Sequence, residues 1–278
     1  MTENGAMPPP ARIALRNLLT CLCVASLALT SPAQLPKQEI SQETQDLLQR
    51  QMSWDDNQPG KNNSSGLYIQ FSEIDETTSS GKRVARYRAY VFGAPENKKY
   101  TLTVWKIGSD PHILSNNVYV NAKGLLMARK PSPEQENSDF LGDNEFQLAV
   151  QAAQAEPVRY ALTSSDKELL VYGTLVPFPL EGNDRGCRLE VRLAVPDGGA
   201  VLIYADGLPA NTGIPFQMLS VGEPMTGKFS VNAQGHAVTP EFPALAGMER
   251  NSLRVTLTTP ECSVAIELPW GKGSYHPL

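Results

Sequence analysis

Few side chains in this 278-residue chain have types and spacings that suit chemistry. Of its three histidines, His112, His236 and His276, none has another histidine, a cysteine or a glutamate at the spacing of a metal site. The sequence contains no nucleophile elbow, Walker loop, dinucleotide fingerprint or His-Glu-x-x-His motif. We therefore predict that the protein is not an enzyme and uses no catalytic residue, metal or cofactor.

Carboxylates are concentrated in one polar stretch, residues 130–145, which reads KPSPEQENSDFLGDNE. Oxygen-rich loops of extracellular modules can bind calcium, but the spacing here matches no calcium-binding loop. The pattern indicates a solvated loop.

Aromatic side chains are the remaining candidates for a binding surface. Trp105 and Tyr119 lie on predicted strands, where they can form an exposed platform that stacks on sugar rings or binds a protein. Packing into the core is the alternative that we favour, because a β-sandwich needs large core residues.

The N-terminal segment predicts export. Arg12 and Arg16 precede a short apolar run over residues 18–29, and residues 31–33 supply the small side chains of a cleavage site. We predict a signal peptide over residues 1–33 and a secreted, periplasmic or cell-surface location.

Three details of this segment have alternatives. The chain can start at Met1 or at Met7, since the basic region follows both. Retention as a membrane anchor is disfavoured because a polar, proline-containing segment follows at once, so we predict no transmembrane anchor in the mature chain. Lipid attachment at Cys21 is disfavoured because threonine precedes it and little apolar sequence lies upstream.

The charge balance bears on possible partners. Removal of residues 1–33 leaves 22 basic (24 − 2) and 28 acidic (29 − 1) residues, a formal net charge of −6. Nucleic acids and anionic membranes bind basic faces, so this balance disfavours both as partners.

Two cysteines remain after the signal peptide, Cys187 and Cys262. In an exported protein a disulfide between them is the favoured interpretation, and two buried free thiols are the alternative.

Residues 34–65 read as a polar linker that contains one candidate short helix with a thin apolar stripe at Ile40, Leu47, Leu48 and Met52. This helix is either marginal or docks onto the structure that follows. From Leu67 onwards the apolar period becomes two, as in strands with one wet and one dry face. The pattern predicts seven strands in each half of the chain, which is the size of an immunoglobulin-like sandwich. Residues 144–156 fit a helix and a strand equally well. The predicted strands lie at about 67–74, 84–92, 99–107, 115–121, 124–129, 157–164 and 168–176, and then at about 187–194, 200–206, 214–221, 227–232, 236–242, 252–259 and 262–269.

Three short blocks recur in the same order in the two halves. They read GAPEN, VNAKG and VRYALTS in the first half and GLPAN, VNAQG and LRVTLTT in the second. The first two blocks are 27 residues apart in the first half (Gly93 to Val120) and 24 apart in the second (Gly207 to Val231). The distance to the third block is 16 residues longer in the first half, and this excess coincides with the 130–145 loop. Such an order is typical of a tandem duplication.

These blocks and the compositional changes define the predicted domains. A first β-sandwich covers residues 66–178, with the insertion at about 130–145, and a second covers 183–272 before a tail at 273–278. The stretch VPFPLEG, residues 176–182, is predicted to be a proline-stiffened joint between them.

The Gly-x-Pro-x-Asn turn before a strand, and a cysteine-bearing last strand that ends in Trp270 and Gly271, resemble bacterial exported immunoglobulin-like repeat domains over residues 66–272. The resemblance implies an all-β chain of two tandem sandwiches with an extracytoplasmic binding or spacer role. It also implies that the strands of Cys187 and Cys262 lie side by side, and it carries over no site residues.

We therefore predict an exported, non-enzymatic protein whose two domains present a surface to a protein or glycan partner. A structural spacer or accessory subunit of a cell-envelope assembly is the second hypothesis, and a hydrolase with a dispersed active site is the third.

Overall fold

A computed structural model of the protein describes residues 42–55, 64, 66–79, 82–96, 98–128, 144–243 and 249–275. Strands dominate this part of the chain, so the prediction of an all-β protein is confirmed at that level, and one helix, α1, covers Gln42–Asp55. The strands of the first half are β1 Tyr68–Ser79, β2 Lys82–Phe92, β3 Tyr100–Lys106, β4 His112–Val120, β5 Leu126–Ala128, β6 Asn144–Glu145, β7 Gln147–Val150, β8 Val158–Ser164 and β9 Leu170–Leu175. Those of the second half are β10 Leu180–Asp184, β11 Cys187–Leu193, β12 Val201–Asp206, β13 Gly213–Ser220, β14 Glu223–Ser230, β15 Ala237–Glu241, β16 Arg250–Thr258 and β17 Ser263–Gly271.

Some predictions fall on other residues. The predicted signal peptide at 1–33, most of the predicted loop at 130–145 and the end of the predicted tail lie outside the described residues.

The first half of the chain forms two antiparallel sheets around one apolar core. One sheet has the order β1-β2-β7 and the other the order β6-β5-β4-β3-β8-β9. Alternate side chains of both sheets point inward, and Tyr87, Leu102 and Leu162 are each at most 5% exposed in the core that they share.

The second half repeats this arrangement around a separate core. Its sheets have the orders β10-β11-β12-β15 and β14-β13-β16-β17. On β16 the alternation is clear: Leu253, Val255 and Leu257 are fully buried, whereas Arg254 is exposed.

The two halves share a strand order. β1-β2-β7 in the first half corresponds to β11-β12-β15 in the second, and β4-β3-β8-β9 corresponds to β14-β13-β16-β17. In each half, the first, second and fifth of these seven strands form one sheet, and the fourth, third, sixth and seventh form the other. The first half adds β5 and β6, and the second adds β10.

The two Val-Asn-Ala-x-Gly blocks form turns with the same hydrogen bonds. The side-chain oxygens of Asn121 and Asn232 each accept from the backbone N–H groups two and four residues ahead, at 2.9–3.0 Å. Gly124 and Gly235 each donate a backbone N–H to the carbonyl of that asparagine. Their φ angles, 78° and 77°, lie in the left-handed region that glycine adopts without strain. The repeated block is therefore a repeated turn.

The cysteines form a disulfide, with an Sγ–Sγ distance of 2.01 Å, but not in the predicted arrangement. Cys187 begins β11 and Cys262 directly precedes β17, and these strands belong to opposite sheets. They are not side by side, because β10 and β12 flank β11 while β17 pairs with β16. The bond therefore ties the two sheets of the second half to each other across its core.

The predicted joint at 176–182 and the ambiguous segment at 144–156 both contain strands. β10 starts directly after Pro179 and pairs antiparallel with β11, an arrangement that proline permits at a strand start on a sheet edge. Within residues 144–156, β6 is a strand that pairs with β5. β7 is a strand because Leu148 and Val150 point into the first core, and this burial overrides the helix preference of the alanines and glutamines.

Helix α1, in the predicted linker, packs on the second half. Leu48 is 5% exposed and, with Met52, contacts a small apolar cluster on the outer face of β12 that includes Leu202 and Tyr204. This contact supplies the apolar burial that a 14-residue helix needs for stability.

The first half also contributes directly to the second core. Ile107, which follows β3, and Ala155, in the loop between β7 and β8, are both buried among its residues. The backbone N–H of Leu193 donates to the carbonyl of Ala155 at 2.9 Å. All the described residues consequently belong to one compact unit.

Candidate functional site

The outer face of the larger first-half sheet carries a cluster of large side chains. Val104, Val158 and Val171 point into the first core, so their neighbours Trp105, Arg159 and Tyr172 point to the opposite face. Trp105 and Arg159 are directly opposite each other on β3 and β8. The guanidinium carbon of Arg159 lies 5.1 Å from the Trp105 ring centroid, which is cation–π distance.

Helix α1 covers this face with Trp54. The Trp54 ring lies 4.6 Å from that of Tyr172, edge to face, and 5.3 Å from that of Trp105. Trp105 donates its indole N–H to the carbonyl of Ser109 at 2.9 Å, which fixes its orientation. The three rings therefore form one aromatic cluster between helix and sheet.

A fully buried glutamine of α1 joins the two halves of the protein. Gln51 donates its side-chain amide N–H to the backbone carbonyl of Ala194, at the end of β11, at 2.6 Å. Its amide oxygen accepts from the guanidinium of Arg159, on β8, at 3.1 Å. Gln51 and Arg159 are both 0% exposed. One side chain thus hydrogen-bonds to both halves in a buried environment, where such bonds are costly to lose.

An open groove of about 420 Å³ runs beside the aromatic cluster. Its size is within the range of small-molecule sites. Its charged residues, Arg50 on α1 and Asp110 after β3, are exposed, and neither makes an ion pair with another described residue. The lining consists of Leu47, Gln49, Arg50, Ser53, Trp54, Trp105, Ser109, Asp110, Pro111 and Tyr172.

Neither aromatic residue suggested by the sequence is exposed. Trp105 is 5% and Tyr119 is 7% exposed, so the two do not form an open platform. Trp105 does not pack into a sandwich core either: it lies on the outer face of its sheet and is buried by α1. It still borders the groove, whereas Tyr119 does not.

A second aromatic surface lies on the outer face of β1 and β2. Tyr68 and Phe92 are directly opposite each other, with stacked rings 4.6 Å apart, and the Tyr90 ring lies 6.4 Å from that of Phe92. Tyr68 is 50% exposed.

His236 has a partner that the sequence did not indicate. Its Nδ1 lies 2.5 Å from Oδ1 of Asp206, and its ring lies 6.1 Å from that of Tyr204. The side chains of His236 and Asp206 are about 40% exposed, which is typical of a surface pair. Within the described ranges, no cluster of three or more histidine, cysteine, aspartate or glutamate residues could hold a metal ion.

Sequence reasoning missed Trp54, Tyr172, Arg50 and Asp110. A signal for the first was available: Trp54 lies seven residues after Leu47, so it extends the apolar stripe of the candidate helix by one heptad. The other three have no local signal, because the groove forms only where α1, β3 and β9 meet.

No protein-family model matches the sequence, and no curated protein is significantly similar to it. Among the described residues, no helix has the length and apolar character needed to cross a membrane.

Proposed function

We propose that this chain is an exported, non-enzymatic binding protein whose two immunoglobulin-like domains present the groove beside α1 to a protein or glycan partner. The observation that carries the proposal is the groove itself: three aromatic rings and several exposed polar side chains from three separate elements converge on it. Small-molecule and sugar sites combine apolar walls with a few hydrogen-bonding groups in this way.

The repeated strand order supports the immunoglobulin-like assignment. Seven antiparallel strands in two packed sheets form the basic unit of that class. Each half contains such a unit, with the fourth strand paired to the third. The matched turns at Asn121 and Asn232 support the further proposal that one ancestral unit was duplicated.

The disulfide supports export. Disulfides persist in oxidising compartments and are rare in the reducing cytosol. The disulfide between Cys187 and Cys262 is buried, and the chain carries an N-terminal segment with the pattern of a signal peptide. Both features fit a protein that folds outside the cytoplasm.

The rigid joint favours the spacer hypothesis as a second candidate. Gln51 bonds both halves, and Ile107 and Ala155 of the first half pack into the core of the second. Domains that share buried contacts keep a fixed relative orientation, which suits an accessory subunit that holds other components at a set distance.

The binding proposal is tested with the chain from residue 34 onwards, purified with its disulfide intact. It is applied to an array of glycans and to fractionated envelope proteins, alongside Tyr172→Ala and a control, Tyr68→Ala, which removes an aromatic ring from the other surface. We expect a partner whose binding is lost in Tyr172→Ala and kept in Tyr68→Ala. If no glycan and no protein binds the wild-type chain, the spacer role replaces the binding role.

A further inference from the structure

We propose that the groove beside α1 binds one neutral pyranose ring of a glycan, a ligand class that builds on the binding role proposed above. The aromatic lining is the first argument. Trp54, Trp105 and Tyr172 all line the groove, and the apolar C–H face of a sugar ring packs against aromatic side chains, which a linear polar ligand cannot do as well.

The charges of the groove indicate a neutral ligand. Arg50 supplies hydrogen-bond donors and Asp110 supplies acceptors, and neither is neutralised by a described neighbour. A ligand with many hydroxyl groups can bond to both, because each hydroxyl donates and accepts. An anionic ligand would be repelled by the carboxylate of Asp110, and a cationic ligand by the guanidinium of Arg50. For a charged ligand, the attraction to one of these groups is therefore offset by the repulsion from the other.

The size and openness of the groove provide a further argument. The roughly 420 Å³ of the groove suits one sugar ring, and its open side lets a longer glycan continue into solvent.

Tryptophan fluorescence gives a direct test, since two of the three tryptophans line the groove. The third, Trp270, is 1% exposed in the core of the second half and provides a constant background. The chain is titrated with neutral oligosaccharides of glucose, galactose, mannose and N-acetylglucosamine, and with uronic-acid and amino-sugar oligomers of matched length. We expect a saturable fluorescence change with at least one neutral series, and binding at least ten-fold weaker for the charged oligomers.

Two variants distinguish the loss of a binding contact in the groove from the loss of the fold. Asp110→Asn changes an exposed carboxylate that has no ion-pair partner among the described residues, so we expect the fold to be preserved. Neutral-sugar affinity should fall about three- to ten-fold, as for loss of one charge-assisted hydrogen bond. Arg50→Ala should weaken binding about ten-fold. The control is Gln217→Ala, at an exposed position on β13 that does not line the groove, with an expected change below two-fold.

The outcomes distinguish this inference from the proposed function. If a glycan or protein binds the chain with no change in tryptophan fluorescence, and binds both variants as tightly as the wild type, the pyranose site is refuted. The binding role proposed above then stands only if Tyr172→Ala abolishes that binding. If charged oligomers bind as well as neutral ones, the ligand class is refuted. If nothing binds at all, both proposals fail.

Discussion

Replacement of Gln51 by alanine should destabilise the protein more than the replacement by alanine of any other polar residue described on helix α1. The substitution removes the hydrogen bond to the Ala194 carbonyl and the acceptor of the Arg159 guanidinium. A neutral hydrogen bond contributes about 1 kcal/mol and one to a charged group about 1.5–3 kcal/mol. Alanine returns a few tenths of a kcal/mol of helix propensity. We expect the free energy of unfolding to fall by about 2–4 kcal/mol.

Equilibrium urea unfolding, followed by tryptophan fluorescence, measures this loss. Trp54 and Trp105 report on the contact between α1 and the sheet, and Trp270 reports on the second core. A fluorescence change that begins at a lower urea concentration than in the wild type identifies the contact of α1 with the two halves as the part that is lost. Gln49→Ala is the matched control, because it is the same substitution at an exposed position two residues away. If the two variants unfold within about 0.5 kcal/mol of each other, the buried bridge does not hold the halves together and our account of α1 is wrong.

Three further predictions follow from the fold. Removal of the Cys187–Cys262 bond, which closes a loop of 75 residues, should lower the free energy of unfolding by about 2–5 kcal/mol, measured in urea against the oxidised protein; an unchanged midpoint would contradict it. Asn121→Ala and Asn232→Ala each remove two side-chain hydrogen bonds from equivalent turns, so both should shift thermal unfolding by a similar amount, about 1–2 kcal/mol each, and strongly unequal losses would speak against equivalence. Burial raises the pKa of Tyr87 to about 12, whereas tyrosine in the unfolded chain titrates near pH 10, so the protonated phenol stabilises the native state fully below about pH 10 and loses this effect as the pH rises towards 12. An ultraviolet phenolate titration in which all tyrosines of the folded protein ionise near pH 10 would refute this prediction.

The strands were predictable because their signal is local. Apolar residues at every second position fix which face is buried, and the alternation at Leu253, Val255 and Leu257 is visible in the sequence and in the structure. The turns were predictable for the same reason, because asparagine and glycine specify a backbone conformation whatever surrounds them. The cysteine pair followed from composition, but the placement of the bond between opposite sheets did not, since strand pairing is a non-local property.

Helix α1 shows why the site itself was not predictable. The sequence suggests that Gln51 is a surface residue, because glutamine is mostly exposed in proteins, and nothing near it in the chain reveals that Ala194 and Arg159 will enclose it. The converse holds for Trp105: its strand pattern places it on the solvent-facing side of the sheet, and the packing of α1 buries it there. Such positions are decided by contacts between segments that are far apart in sequence.

The side chains on the outer faces of the sheets show what α1 contributes to the molecule. In an isolated sandwich, the outer faces of both sheets meet water and carry polar side chains. Here the outer face of β3 carries Trp105 and that of β12 carries Leu202 and Tyr204; all three are buried, and α1 packs against these faces through Trp54, Leu48 and Met52. The helix therefore supplies a third layer that two sandwiches would not need if they were independent. The groove lies along the edge of this layer, so the helix that joins the two halves through Gln51 also supplies part of the lining of the proposed sugar site.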